Sequence, residues 1–462
     1  MSDPTLSTYR LRLALVLLLA ALLASIRLSA PPIWLDEASS WYNVSGTWLH
    51  LWQRAVQGED TGGILFSALL KLWVGLAGTS EAALRAPGVV LLLGTIAALA
   101  HAVRSAVGRR AGVLAAAAAL AHPSLLAAAR QARGYILLLF LTSLAVLALA
   151  WRLSGRRRAA AWLLAGASLA AAATHVFGVF VAAGAAACHA LLERQQGRPR
   201  AAATAACLAA PALAFAAAWA AIMHERVGRS LASFWIPGTA VSNYVGIAVL
   251  LVAPLAACCA WILWKDPSPR ARSAALGLGV MGIPIAAGPG LASLLASGSH
   301  NLVLLRYALA LVPLTAAAAG CALATLPRRL ALSVLTVALA GSLAYSVAKG
   351  AYAPVTRTGQ DIRGAAAFLA RDAADGDILF VEPANDWMPL AYYGVATAPV
   401  EGRDGRWRVV SENEERRTEY AGRRIWLVRF SRRTAAPPEL LGRAVVAGRF
   451  GTITVLRVNQ VR

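Results

Sequence analysis

Residues 11–37 read LRLALVLLLAALLASIRLSAPPIWLDE. The apolar run at their start is long enough to cross the roughly 30 Å hydrocarbon core of a bilayer as one helix. The stretch ends at two adjacent carboxylates, Asp36 and Glu37. Acidic side chains beside hydrocarbon are costly, and those that proteins keep there generally serve a function. The stretch therefore predicts a first membrane span followed by a functional acidic site.

The whole chain has the composition of a membrane protein. Of its 462 residues, 58% are hydrophobic and 14% are charged, and the mean hydropathy is +0.60. The apolar residues come in blocks of about 20, and backbone groups in hydrocarbon must bond within their own helix. The sequence therefore predicts an all-α polytopic membrane protein with about eleven transmembrane helices. The expected spans lie near 11–28, 85–105, 110–129, 134–152, 159–174, 176–192, 201–223, 242–264, 273–296, 305–325 and 330–348.

The first apolar block has a second interpretation, as a signal peptide cleaved after Leu28-Ser29-Ala30. Its apolar run is continuous, Arg27 interrupts the cleavage region, and Trp34 follows closely. We therefore expect an uncleaved first span.

Basic residues are distributed asymmetrically between alternate loops. When the N-terminus is assigned to the cytoplasm, the inner loops hold most of the arginines, whereas the first outer loop holds the acids. The inner basic residues are Arg10, Arg12, Arg104, Arg109, Arg110, Arg152, Arg156, Arg157, Arg158, Arg194, Arg198, Arg200, Lys265, Arg270, Arg272, Arg328 and Arg329. This pattern follows the positive-inside rule. The net charge of +22 therefore indicates topology and argues against nucleic-acid binding. Richness in alanine and arginine is typical of a GC-rich bacterial genome, so we expect a multi-pass protein of the bacterial cytoplasmic (inner) membrane.

The C-terminal part of the chain changes character and becomes polar. An odd number of spans places it outside the cell, and its alternating patterns predict one helix and several strands. The helix is expected to begin near 360–362, and the strands near 378–381, 425–428, 445–450 and 452–458. We therefore predict a transmembrane domain at 1–348 and a small extracytoplasmic α/β domain at 349–462.

The first outer loop, 29–84, contains helical patterns of its own. Trp41, Trp48 and Trp52 recur at spacings that place them on one face of a helix over 38–52. Tryptophan favours the headgroup region, so this helix is expected to lie in the membrane interface. A second apolar stretch at 64–76 is too short to span and predicts another interfacial or re-entrant helix. The tryptophans either anchor the loop in the membrane or hold the chain of a lipid substrate.

Four short motifs occur in a characteristic order along the chain. They are Asp36-Glu37 after the first span, Ser-Glu-Ala-Ala-Leu-Arg-Ala-Pro at 80–87, Gln-Ala-Arg-Gly-Tyr at 131–135 and Arg-Tyr at 306–307. Together with a polar domain after the last span, this order resembles the GT-C glycosyltransferases, in particular the protein O-mannosyltransferase and aminoarabinose-transferase branch. Two departures concern the acceptor side. Glu-Asp-Thr-Gly-Gly at 59–63 replaces a Pro-Pro step found in many relatives, and 130–135 lacks the additional acid of some members.

The resemblance implies transfer of a sugar from a polyprenyl-phosphate carrier to a hydroxyl of a glycan, lipid or protein on the outer side of the membrane. A single displacement with inversion needs a base for the acceptor proton and cations for the departing phosphate. The resemblance assigns the role of base to Asp36 and the positioning of the sugar or the acceptor to Glu37. The expected donor-phosphate ligands are Arg85, Arg133 and Arg306, and the expected pocket residues are Tyr135, His175 and Tyr307. The resemblance implies no organic cofactor, and the sequence leaves dependence on a divalent metal open.

Each of these residues also has a structural interpretation. Asp36 and Glu37 suit the N-cap and first turn of the helix that follows them. The arginines suit interface anchors or partners of Glu81 or Glu37, and His175 suits a core hydrogen bond. The five cysteines lie in apolar blocks and fit small core residues better than a metal site.

Two other function classes compete with an enzyme. A flippase or transporter of lipid-linked sugars generally has helices broken by Pro and Gly, and residues 282–290 contain such a pattern. A non-catalytic scaffold of an envelope-glycan complex is the third class. The concentration of acids and motif arginines on the outer side favours the enzyme.

Overall fold

The computed structural model describes residues 4–56, 63–198, 200–233, 240–266, 268–295, 305–349, 352–353, 359–374, 377–382, 387–395, 408–410, 424–430 and 444–458. The chain forms two compact units, each made of three segments. The first comprises Met1–Ile26, Thr47–Leu76 and Arg85–Tyr345. The second comprises Arg27–Gly46, Ala77–Leu84 and Ser346–Arg462. Glu59, Asp60 and His300 lie outside the described residues.

The described part of the chain up to residue 349 contains sixteen α-helices. They are α1 Pro4–Ser25, α2 Leu35–Ser45, α3 Trp48–Val56, α4 Ile64–Ala77, α5 Glu81–Ala106, α6 Arg109–Leu120, α7 Pro123–Ala129, α8 Tyr135–Leu153, α9 Arg157–Thr174, α10 Gly178–Arg194, α11 Ala201–Ser233, α12 Ala240–Ile247, α13 Ala253–Lys265, α14 Pro269–Leu295, α15 Leu311–Ala324 and α16 Arg328–Ala348. A π-helical turn, Ala248–Val252, joins α12 to α13, and a 3₁₀ helix, Leu305–Ala308, precedes α15. Each of the eleven predicted apolar segments contains at least one of these helices.

Within the described residues, seven helices are long and apolar enough to cross a membrane, and an eighth crossing arises if α6 and α7 form one span bent by 67°. This confirms the prediction of a helical, polytopic membrane protein. The predicted segments at 159–174, 176–192 and 305–325 correspond to the shorter or less apolar helices α9, α10 and α15. A total of eleven crossings therefore stays a prediction.

The first unit has the burial pattern expected of a protein in lipid. The central helices α8 and α15 are buried along nearly their whole length. The peripheral α1, in contrast, exposes leucines, including Leu15, which is 56% exposed. Large apolar side chains on the outside of a bundle are suited to lipid contact, because lipid tails are as apolar as the core.

The Pro- and Gly-containing segment at 282–290, which would suit a transporter, does not break its helix. Helix α14 continues through Pro284 and Pro289. The hydroxyl of Tyr244 donates hydrogen bonds to the carbonyl oxygens of Ala286 (2.8 Å) and Ala287 (3.1 Å). Backbone groups in a Pro-containing membrane helix are commonly satisfied by such a neighbouring side chain, so the helix persists.

The second unit contains the predicted α/β fold. Its elements are α17 Ile362–Asp372, β1 Ile378–Glu382, α18 Trp387–Tyr392, β2 Arg408–Val410, β3 Ile425–Arg429, β4 Ala444–Phe450 and β5 Ile453–Val458. The strand order is β2-β1-β3-β5-β4, with β1 parallel to β2 and β3 and with β5 antiparallel to β3 and β4. Asp361 caps α17 by accepting a hydrogen bond from the amide of Gly364 at 2.9 Å. The alternating apolar patterns predicted four of these strands to within a few residues.

The predicted single helix over 38–52 is wrong. Helix α2 ends at Ser45, Gly46 has an extended backbone, and α3 begins at Trp48. The Thr47 hydroxyl oxygen accepts a hydrogen bond from the amide of His50 at 3.1 Å, which is typical of a residue that starts a new helix. The tryptophan stripe is therefore divided, with Trp41 on α2 and the half-exposed Trp48 and Trp52 on α3. The predicted short helix at 64–76 is present as α4.

Candidate functional site

Six side chains of the first unit form a compact group at the ends of helices. We name this group the arginine–aromatic cluster, and it consists of Arg133, Tyr135, His175, Phe177, Arg306 and Tyr307. Arg133 lies in the turn before α8, and Tyr135 is the first residue of α8. His175 directly follows α9, and Phe177 directly precedes α10. Arg306 and Tyr307 lie in the 3₁₀ helix before α15.

His175 is at the centre of the cluster. Its ring centroid lies 5.4 Å from that of Tyr135 and 5.7 Å from that of Tyr307. Phe177 stacks on Tyr307 with centroids 4.5 Å apart. The guanidinium carbon of Arg133 is 5.9 Å from the Tyr135 ring centroid, and that of Arg306 is 5.5 Å from the Tyr307 ring centroid. Both distances suit cation–π attraction, so the tyrosines also orient the cations.

The electrostatics of this cluster are positive. Burial lowers the pKa of His175, and the charges of Arg133 and Arg306 lower it further. His175 Nδ1 accepts a hydrogen bond from the amide of Phe177 at 3.2 Å, so the neutral ring carries its proton on Nε2. The cluster therefore combines a neutral imidazole with two guanidinium groups. Such a setting favours an anionic ligand over a cationic one.

Two glycines allow the backbone to approach closely at the His175 turn, and sequence analysis did not identify either of them. A Cβ on Gly178 would lie 1.9 Å from the carbonyl oxygen of Ala171. Gly63 has a φ of +80°, and a Cβ there would lie 1.8 Å from the carbonyl oxygen of Thr174. Any larger side chain at either position displaces the segment that carries His175. Phe177 was also missed, because a single aromatic residue in an apolar stretch does not stand out.

Arg85 and Arg130 are buried cations of the same unit. Arg85 on α5 is 2% exposed. One turn later, a Cβ on Gly88 would lie 2.2 Å from the carbonyl oxygen of Ala129, so α5 packs tightly against the end of α7. This packing places the segment of Arg85 beside the turn that begins with Arg130 and leads to Arg133.

The role of Arg130 was not predicted. Its guanidinium donates hydrogen bonds to the carbonyl oxygens of Ala24 (2.6 Å) and Ile26 (2.8 Å). These groups lie at and just beyond the C-terminal end of α1, where helix carbonyls lack intrahelical partners and a cation is stabilising. Arg130 therefore caps α1.

The acidic pair belongs to the second unit. Asp36 and Glu37 lie in the first turn of α2, where their charge is favourable to the helix dipole. Glu37 is 1% exposed, whereas Asp36 is half-buried. The N-cap position belongs to Trp34, without a side-chain cap. The interpretation of Asp36 as an N-cap is therefore wrong, because the helix begins one residue before it.

Helix α2 packs on the C-terminal domain within this unit. The ring centroids of Trp41 and Tyr392 are 5.3 Å apart with an edge-to-face geometry, and those of Tyr42 and Trp387 are 5.2 Å apart with the same geometry. The domain boundary predicted near 349 stays a prediction, but the compact unit that contains the C-terminal strands also contains the acidic pair.

Metal ligands do not group together in the part of the chain that the structure describes. No three His, Cys, Asp or Glu side chains lie there in an arrangement that suits a metal ion. The five cysteines are free thiols. We propose no metal site.

Comparison with known proteins supports the fold. No family model and no curated protein matches the sequence. The chain is similar in structure to ArnT from Cupriavidus metallidurans bound to undecaprenyl phosphate, with a TM-score of 0.63 and 14% identity over 96% of this chain and 97% of that one. The apo state of ArnT gives a TM-score of 0.61 and 16% identity over the same shares. The apo oligosaccharyltransferase of Archaeoglobus fulgidus gives a TM-score of 0.44 and 13% identity over 85% of this chain and 61% of that one. The chain therefore has the fold of ArnT, a GT-C aminoarabinose transferase, as the order of its sequence motifs predicted.

Proposed function

We propose that this protein is an integral-membrane glycosyltransferase that moves a sugar from a polyprenyl-phosphate donor to an acceptor hydroxyl on the outer side of the membrane. The observation that carries this proposal is the arginine–aromatic cluster, set in a chain that has the ArnT fold over nearly its whole length. The ArnT structure with undecaprenyl phosphate supports the class of donor. The acceptor is a hydroxyl of an envelope glycan, a lipid or a protein.

Arg133 and Arg306 hold the donor phosphate in this proposal, and Arg85 assists them. A guanidinium matches phosphate oxygens with two parallel hydrogen bonds. Arg133 is 4% exposed, and burial of a cation strengthens its attraction to an anion. As the sugar–phosphate bond breaks, negative charge grows on the departing phosphate, and the same cations stabilise that charge. Tyr135, His175 and Tyr307 orient the arginines and line the pocket.

Asp36 is the general base, and Glu37 positions the sugar or the acceptor. The carboxylate of Asp36 takes the proton of the acceptor hydroxyl while the oxygen attacks the anomeric carbon from the side opposite the phosphate. One displacement of this kind inverts the anomeric configuration. Half-burial of Asp36 suits this role, because a base must be accessible to its substrate.

The test is the Asp36→Asn variant, which keeps the size of the side chain and removes the base. Mass spectrometry of polyprenyl-phosphate sugars and envelope glycans, with and without the protein, first identifies donor and acceptor. The purified variant is expected to bind donor normally and to transfer sugar about 10²–10⁴-fold more slowly, the usual effect of removing a general base. Asp372→Asn is the matched control, because Asp372 forms a surface ion pair with Arg371, and it should transfer at the wild-type rate.

Three results contradict the proposal. A well-folded Asp36→Asn protein that works at the wild-type rate removes Asp36 as the base. Movement of the intact lipid-linked sugar across a membrane without transfer indicates a flippase. An unchanged set of glycans and lipid-linked sugars in cells without the protein indicates a scaffold.

A further inference from the structure

We infer that the C-terminal domain positions the acidic pair through Glu81, Arg363 and Tyr393, which act as a clamp on the chain that leads into α2. The inference rests on the proposed function, because it gives these three residues a role in the same reaction. All of the atoms involved belong to the second unit. We name the three side chains the carboxylate clamp.

Glu81 is the centre of the carboxylate clamp. Its Oε1 accepts a hydrogen bond from Arg363 Nε at 2.9 Å and another from the Tyr393 hydroxyl at 2.5 Å. Its Oε2 lies 2.6 Å from a terminal nitrogen of Arg363. Both oxygens of one carboxylate are thus bound by residues that lie about 300 positions away in the sequence, in a bidentate ion pair.

Arg363 and Tyr393 also form hydrogen bonds with the segment before α2. Arg363 donates a hydrogen bond to the carbonyl oxygen of Ala30 at 3.0 Å and another to that of Ser29. The amide of Ile33 donates to the Tyr393 hydroxyl oxygen at 2.9 Å. Ile33 is fully buried and lies three residues before Asp36. The clamp therefore fixes the backbone on both sides of Pro31-Pro32, directly before the acidic pair.

The direction of the hydrogen bonds requires Tyr393 to stay protonated. Its hydroxyl accepts a hydrogen bond from the Ile33 amide and donates one to Glu81, so it links Glu81 to the backbone just before α2. Burial raises the pKa of Tyr393, and the hydrogen bond to Glu81 raises it further. The clamp is therefore in this state throughout the physiological pH range.

This arrangement suits positioning more than general stability. The guanidinium of Arg363 is about one-third exposed, so its ion pair with Glu81 contributes little net folding energy. In contrast, a displacement of about 1 Å at a catalytic group can reduce a rate about 10²-fold. Aromatic contacts from α18 hold α2 at Trp41 and Tyr42, and the clamp fixes the backbone just before α2 begins.

The first experiment compares Tyr393→Phe and Arg363→Ala with the wild-type enzyme. We expect kcat to fall about tenfold and about 10²-fold, respectively, with donor KM unchanged within about threefold, because the donor-phosphate ligands are untouched. Arg363→Lys should recover part of kcat, since it keeps the charge but loses the planar guanidinium that binds a carboxylate with two hydrogen bonds. The matched controls are Tyr392→Phe and Arg371→Ala. The Tyr392 hydroxyl donates a hydrogen bond to the carbonyl oxygen of Thr79, and Arg371 is an exposed arginine on the same helix as Arg363. Both controls should stay near wild type.

The second experiment does not depend on activity. Amide hydrogen exchange of the peptide that covers 29–34 should be faster in Tyr393→Phe than in wild type and unchanged in Tyr392→Phe. Equal exchange in Tyr393→Phe and wild type overturns the clamp, as does a kcat per folded molecule that matches wild type in both clamp variants. If the wild-type protein transfers no sugar, the proposed function fails, and the exchange result alone then decides whether the clamp exists.

Discussion

The acidic pair and the arginine–aromatic cluster are positioned in opposite ways. The cluster is built at helix ends of a single unit, and its rings and guanidinium groups hold one another. The acidic pair lies on a short helix that depends on hydrogen bonds and ring contacts from the far end of the chain. The two regions are therefore held in place by two different kinds of contact. One is packing within a membrane bundle, and the other is a polar clamp supplied by a domain outside the predicted spans.

A large effect is expected at the cluster. Arg133→Ala and Arg306→Ala should each lower kcat/KM for the donor about 10²–10³-fold, the usual loss when a donor to a developing oxyanion is removed. Lysine at either position should restore only part of kcat/KM, because the planar guanidinium that forms two parallel hydrogen bonds is lost. Steady-state kinetics with varied donor concentration measure kcat/KM for each variant. The control is Arg158→Ala, because Arg158 is an exposed residue of a predicted inner loop. Near-normal donor kinetics in both alanine variants would show that the two arginines are interface anchors.

A smaller effect is expected at the buried member of the acidic pair. Glu37→Gln should lower kcat about tenfold, which is less than Asp36→Asn, because in the proposed mechanism Glu37 orients a substrate and takes no proton. Thermal unfolding of the variant, measured together with kcat, separates a loss of rate from a loss of stability. A larger rate loss in Glu37→Gln than in Asp36→Asn would reverse the two roles.

The smallest effect concerns pH. His175 has a lowered pKa and is therefore already neutral between about pH 6 and 8, so it should contribute no step to the rate profile in that range. The pH dependence of kcat/KM should have the same midpoints in wild type and His175→Gln, even if the variant is slower. A midpoint near 6.5 that disappears in His175→Gln would show that the ring titrates and acts as a base.

Sequence patterns singled out the two arginines of the cluster because they are anomalies of topology. Arg133 and Arg306 are cations at predicted outer ends of spans, where the positive-inside rule disfavours them. The strands of the second unit were predictable because their apolar residues alternate. The spacing of the tryptophans led to a wrong prediction, because the helical spacing of these residues continues across Gly46 although the helix ends before it.

The carboxylate clamp could not be predicted in the same way. Arg363 and Tyr393 are polar residues in a polar domain, and nothing in their local sequence indicates a partner at Glu81. Arg130 is similar, because its acceptors are backbone carbonyls, which have no signature in sequence. Contacts of this kind depend on which distant segments meet, and a single sequence does not contain that information.

The three-segment construction of the second unit has a consequence for biosynthesis. The loop that carries Asp36 leaves the ribosome early, but its partners on α17 and α18 follow more than 300 residues later. Closing so long a loop is slow compared with forming the helices between its ends. The bundle is therefore inserted before the acidic pair is fixed, and a chain that stops before the last domain carries the acids without the clamp. The backbone before the acidic pair is therefore held in its final position only after Arg363 and Tyr393 have been synthesised.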